Sequence, residues 1–73
     1  MKHKSEVLII LGEKVRELRK EMSLSQEELA FRADVHRTYI GMIERAEKNV
    51  TILNLDKIAK ALDVPIELLV KGL

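Results

Sequence analysis

Ser25-Gln26-Glu27-Glu28-Leu29-Ala30-Phe31-Arg32-Ala33-Asp34-Val35-His36-Arg37-Thr38-Tyr39-Ile40-Gly41-Met42-Ile43-Glu44-Arg45 is the stretch that decides the fold of this 73-residue chain. Ser25 with Glu28 three residues later has the spacing of a capping box. There the N-cap hydroxyl and the later carboxylate each satisfy a backbone N–H that a helix start leaves unpaired. Leu29, Ala30 and Ala33 follow at helical steps and form one buried face. Asp34 stands where the chain must turn, and aspartate tolerates the left-handed conformation better than most residues. A second helix is expected from about His36 to Ala46. Val35, Ile40 and Ile43 face inward, and Arg37, Thr38, Tyr39 and Met42 lie on the other side.

The flanks read the same way. Leu8, Leu11, Val15, Leu18 and Met22 recur at three- and four-residue steps, which predicts a helix from about Ser5 to Met22 with Ser5 as its cap. Glu47-Lys48-Asn49 is a polar loop. Thr51 caps a fourth helix whose buried face is Ile52, Leu55, Ile58, Ala59 and Leu62. Asp63-Val64 breaks it. Pro65 suits the first turn of a final helix through about Val70, since its missing N–H would have no partner there, and Gly72 ends that helix. β-branched residues fall at helical steps and nothing suggests a strand. The expectation is an all-α, compact five-helix bundle.

Size and composition set limits. A chain this short buries only roughly 60% of its unfolded surface. With no cysteine it has neither a disulfide nor a thiolate metal site. His3 and His36 are too far apart in sequence to form a ligand pair, so neither a metal nor a cofactor is expected. Added stability is expected from self-association, and Leu53, Leu68, Val70 and Leu73 exceed what the monomer core needs. Thirteen basic residues face twelve acidic ones, for a net charge of +1. The pI of about 8.1 is below the value, about 9, that would flag nucleic-acid binding from charge alone. The apolar run Val7 to Leu11 is too short for a signal peptide or a membrane span, which suggests a cytoplasmic protein. No Gly-rich phosphate loop, metal-ligand spacing or Ser/His/Asp set appears, which argues against an enzyme.

The placement of polar residues points to DNA. Arg37 and Thr38 open the third helix, where side chains project beyond the helix end. Arginine has the fork to hold guanine O6 and N7 together; its alternative is a solvated pair with Asp34. Met42, one turn on, either touches a thymine methyl or packs. Gln26, at a helix start with free N–H groups, is either a phosphate donor or an ordinary polar residue. Tyr39 either sets its hydroxyl on a phosphate or is half-buried in the core. His36 contacts phosphate when protonated or is a polar turn residue. Arg45, Lys48 and Asn49 either neutralise phosphates or form a solvated cluster partly offset by Glu47. Arg19 adjoins the apolar stripe of the first helix, and Glu44 follows Ile43 on the third. A half-shielded pair between them would hold those helices together.

The segment Gln26-x-x-Leu29-Ala30 … Val35 … Ile40-x-x-Ile43-Glu44, with the closing Leu55-Asp56-Lys57-Ile58-Ala59-Lys60-Ala61-Leu62, resembles the Cro/lambda-repressor class of helix-turn-helix domains. The likeness covers about Leu11 to Leu69. It implies a single DNA-binding domain over 1–73, with the helix-turn-helix at about 25–46 and a dimerisation region at about 52–73. The class further implies a recognition helix over about His36 to Arg45 and a phosphate-clamping Gln26. Arg37, Thr38 and Met42 match its base readers, and Arg19–Glu44 its structural pair. Arg37-Thr38-Tyr39-Ile40-x-x-Ile43-Glu44-Arg45 followed by Asn49-Val50-Thr51 is similar to the controller proteins of restriction–modification systems. Those are small homodimers that regulate the endonuclease gene and their own. The partners this implies are operator duplex, a second copy of the chain and RNA polymerase. The chain departs from that pattern with Asp34 in place of a turn glycine, Gly41 in place of serine and Ala46 in place of glycine. Three readings therefore stand side by side: a dimeric controller, a phage-type repressor or antitoxin of the same fold, and a helical protein-interaction module with no DNA role.

Overall fold

The computed structural model describes residues 5–73, so His3 lies outside the described residues. Five helices follow in order: α1 (Glu6–Glu21), α2 (Gln26–Ala33), α3 (Arg37–Glu44), α4 (Ile52–Ala61) and α5 (Ile66–Val70), with no strand among the described residues. Side-chain caps start four of them. Ser5 accepts from the Leu8 N–H, Ser25 from Glu28, His36 from Thr38 and Thr51 from Asn54. The capping box at Ser25 is complete: the Glu28 carboxylate accepts the Ser25 N–H at 2.8 Å. That bond holds the Glu28 carboxyl below the usual glutamate range.

The first four helices end alike. A non-glycine residue takes left-handed geometry after each: Ser23, Asp34, Ala46 and Asp63, with φ between 56° and 60°. The residue after each one donates back five positions, Leu24 to Arg19, Val35 to Ala30, Glu47 to Met42 and Val64 to Ala59, at 2.8–3.1 Å. This is the paired-bond ending that satisfies carbonyls at a helix C-terminus. The chain therefore reverses within three or four residues after α1, α2 and α4, and over seven residues between α3 and α4.

These sharp turns wrap the helices around one core. α3 packs on both α1 and α2, α2 on α4, α4 on α5, and α5 returns to α1. Val15, Leu29, Ile40, Ile43, Ile58 and Leu69 are the large side chains sealed inside. The radius of gyration, 11.2 Å, equals that of a compact chain of this length, about 11 Å, so no element stands apart.

The structure corrects four expectations. Met22 caps α1 but is exposed, and Ile52 at the start of α4 is 65% exposed. α3 stops at Glu44 rather than Ala46, because Ala46 is already left-handed. Pro65 is the N-cap of α5 and not a first-turn residue, with extended backbone at ψ 150°.

α1 and α3 cross closely at Gly12. A Cβ built there would lie 2.5 Å from the Ile43 carbonyl oxygen and 3.0 Å from that of Glu44, both rigid backbone. At Gly41 on α3 the nearest atom is the Arg45 Nη1, 3.0 Å away at the end of a flexible side chain. Helix propensity alone favours alanine at both by about 1 kcal/mol. Gly12→Ala is expected to lower stability by about 1–3 kcal/mol through overpacking, and Gly41→Ala to raise it by about 0.5 kcal/mol. Urea unfolding monitored by circular dichroism checks both; equal behaviour of the two variants would contradict the crossing geometry.

Candidate nucleic-acid interface

One face of α3 is committed to the interior. Ile40 and Ile43 are sealed in the core, and Glu44, beside Ile43, is held by a charged network. The Arg19 Nε lies 2.7 Å from Glu44 Oε2, and Nη2 lies 3.0 Å from Oε1. The third guanidinium nitrogen donates to the Leu24 carbonyl at 2.9 Å. The Gln26 Nε2 adds a fourth bond, to Glu44 Oε1, at 3.1 Å. Side-chain exposure of only 12% for Arg19 and 4% for Glu44 makes this a shielded pair. The hydrogen bonds that Arg19 donates to Glu44 raise the Arg19 pKa further, so the guanidinium stays charged. Three elements and the α1–α2 turn thus meet at one carboxylate.

The opposite face of α3 is open. Arg37 and Thr38 are exposed on its first turn, and Met42 is half-buried one turn on. A groove of about 620 Å³ runs between the start of α2 and α3, with Gln26, Glu27, Arg37, Thr38, Gly41 and Arg45 in its lining. Gly41 keeps its floor low. The groove is polar, and it brings the start of α2 beside the side chains that open α3. That pairing suits a ligand that offers a phosphate to one helix start and a base edge to the next.

The other sequence-predicted residues fall around this groove in different ways. His36 is the N-cap of α3, its Nδ1 accepting from the Thr38 N–H at 3.1 Å. Tyr39 packs against the core, and its hydroxyl accepts from Asn54 Nδ2 at 3.1 Å. The phenolic proton remains available to donate outward. Arg45 caps the end of α3 and pairs with Glu47 at 3.0 Å. Lys48 and Asn49 are exposed in the following loop and do not line the groove. On α4 Leu53 is 74% exposed; Leu68 and Val70 on α5, and Leu73 beyond it, are also exposed. Asn54 and the Leu24 carbonyl escape sequence reasoning. Asn54 acts on a residue fifteen positions away, and the Leu24 carbonyl is a backbone group that no side-chain pattern marks. Phe31, 88% exposed on α2, likewise carries no sequence signal that it faces outward.

The chain is similar in sequence and fold to known proteins. The helix-turn-helix family profile matches residues 15–69. The chain is similar to the control protein C.BamHI of Bacillus amyloliquefaciens, with 51% identity over 59 residues, covering 80% of this chain and 73% of that one. Among solved structures it is similar to the restriction–modification controller protein C.AhdI from Aeromonas hydrophila. The TM-score is 0.84 at 44% identity, over 85% of this chain and 94% of that one. It is also similar to the controller C.Esp1396I, solved as a tetramer in complex with its natural 35 base-pair operator. There the TM-score is 0.82 at 37% identity, over 92% and 93% of the two chains.

Removing one member of the Arg19–Glu44 pair strands the other away from water. Glu44→Leu and Arg19→Met alone are each expected to destabilise the fold by about 3–5 kcal/mol. The double variant Arg19→Met with Glu44→Leu, which removes both charges, is expected to lose less than the sum of the singles. Urea unfolding of the four proteins in a double-mutant cycle measures the coupling; additivity would show the pair to be incidental.

Proposed function

The chain belongs to the helix-turn-helix family, among its restriction–modification controller proteins, and we propose that it is a transcription regulator that binds operator DNA as a homodimer. The observation that carries this reading is the division of α3. One side is held by the core and the Arg19–Glu44 pair, while Arg37 and Thr38 project from the other beside a polar groove. The operator-bound relative of the same fold is consistent with it. The genes it acts on would be an endonuclease gene and its own.

In this reading Arg37 forks onto guanine, Thr38 reads the neighbouring step, and Met42 touches a thymine methyl. Gln26, at the start of α2, donates to a phosphate with the amide hydrogen that Glu44 does not hold. Tyr39 gives its phenolic proton to a phosphate, with Asn54 fixing the hydroxyl. His36, Arg45, Lys48 and Asn49 complete the backbone contacts that set register. Because two-fold operators present half-sites about 34–36 Å apart, a dimer built on Leu53, Leu68, Val70 and Leu73, with Ile52 beside them, would set the spacing of the two reading helices. The region over about 52–73 is then the dimerisation part of a single domain. RNA polymerase is the partner through which bound protein would activate, and the site of action is the cytoplasm. No helix among the described residues is long and apolar enough to cross a membrane.

Footprinting on DNA upstream of the gene tests the reading, and protection of no site would reject it. Arg37→Ala is expected to relax discrimination at one base pair, by about 1–3 kcal/mol. Lys48→Ala should instead weaken cognate and random duplexes alike and flatten the salt dependence. Binding titrations on both duplexes at several salt concentrations separate these effects. Uniform loss in both variants would remove Arg37 from base readout. For the dimer, Leu53→Asp is expected to shift sedimentation from dimer to monomer at micromolar concentration with the helical content retained. A wild-type chain that sediments as a monomer would overturn the interface.

A further inference from the structure

The cap of α3 is a histidine, and that is an unusual choice. Serine, threonine, aspartate and asparagine are the residues that normally accept a first-turn N–H, and none of them loses that ability near neutral pH. Here the acceptor is the Nδ1 of His36, 3.1 Å from the Thr38 nitrogen, and the backbone of His36 is extended at φ −74° and ψ 143°. An N–H donates, so Nδ1 must carry a lone pair. The neutral ring therefore holds its proton on Nε2. The bond lands on Thr38, and Arg37 lies between cap and anchor. The two side chains that open the groove are thus the ones whose backbone this imidazole holds.

We propose that neutral His36 is the positioning residue for base readout, and that its protonation exchanges sequence-specific binding for non-specific binding. The inference rests on the reading of α3 as the helix that meets the bases. A proton on Nδ1 turns the acceptor into a donor facing another donor. It also places a positive charge at the positive end of the α3 dipole. Both effects loosen the first turn of α3 and with it the geometry of Arg37 and Thr38. The same charge is attracted to phosphates, which carry no sequence information. Acid therefore lowers operator affinity relative to random duplex rather than lowering all binding.

Charged groups of both signs stand near His36 in the fold and in the chain. His36 shares a surface hollow with Glu27 and Phe31 of α2 and with Arg37 of its own helix. Asp34 precedes it by two residues, and Arg32 stands in the last turn of α2. α1, the other helix packed on α3, contributes no charged group to that hollow. On the operator, bound phosphates would add negative charge to these groups.

The test measures dissociation constants for the footprinted operator and for a random duplex of equal length, between about pH 7.5 and pH 5.5, the interval in which imidazoles gain a proton. The operator-to-random ratio of the wild type is expected to fall by about fivefold across it, the worth of one cap. In His36→Asn, which caps without titrating, the ratio should stay level. His3→Gln removes the only other histidine and should behave as the wild type. In the free protein, the Thr38 amide resonance should titrate in step with the His36 ring. A level wild-type ratio, an equal fall in His36→Asn, or a Thr38 amide blind to the ring would each overturn the proposal. A wild type with no operator preference even at the upper pH would instead overturn the functional reading beneath it.

Discussion

The bond between Arg19 and Glu44 is the constraint on which the rest of this structure depends. Three short helices with few buried residues each would slide over one another if apolar contact were all that held them, because such contact has no direction. A guanidinium has a plane and fixed donor angles. Here two donors meet both oxygens of one carboxylate, while the third nitrogen closes on the Leu24 carbonyl. The position of α3 is therefore set relative to α1, and the α1–α2 turn is set at the same time. Gln26 takes one more lone pair of that carboxylate, so the start of α2 is fixed to the end of α3. The groove beside Arg37 inherits its shape from this network. The network neutralises the Arg19 charge, which lies in the groove lining, within the protein itself.

Backbone geometry supplies the second half of that rigidity. Four consecutive turns use left-handed residues that are not glycine. Each such residue is less favourable than it would be elsewhere by about 1–2 kcal/mol, and each is held by two backward hydrogen bonds. A turn of this kind has one geometry rather than several. α2 and α3 are joined by Asp34, Val35 and His36 alone, so the angle between the helix that meets the groove at its start and the helix that lines it is nearly fixed by the turn. Gly12 works in the same direction from the other side. By having no Cβ it lets α1 approach the Ile43 and Glu44 carbonyls, close enough for Arg19 to reach its partner.

Much of this is legible in the order of the residues. Capping residues at Ser5, Ser25 and Thr51 and apolar steps of three and four locate the helices, because those signals act within one turn of the residue that carries them. The left-handed Asp34 is readable for the same reason. Signals that act across the chain are not. Nothing near Tyr39 points to Asn54, fifteen residues on, and nothing near Gly12 announces a carbonyl from α3. Ile52 follows the helical period of its buried neighbours but is exposed, since period tells which face a residue is on and not how far the neighbouring helix extends. α3 ends two residues earlier than its apolar pattern implies, because alanine at position 46 gives no sign of its left-handed backbone. His36 reads as a turn residue or phosphate contact and is a cap, a role in which imidazole is rare enough that composition does not suggest it.

The small net charge of the chain constrains how it can bind. With thirteen cations against twelve anions, bulk attraction to a polyanion is weak, so the local pattern must supply what the total does not. Around the groove, Arg19 and Glu44 cancel, Arg45 is partly offset by Glu47, and Glu27 opposes approach. What remains is Arg37, the amides at the start of α2, and Lys48 of the loop after α3. Non-specific binding, which scales with the number of phosphates neutralised, should therefore be modest, while under the proposed function a base edge that satisfies Arg37 would add energy that random sequence cannot. A regulator built this way gains discrimination by keeping its background low, and doubling the site through a dimer multiplies the specific part more than the background.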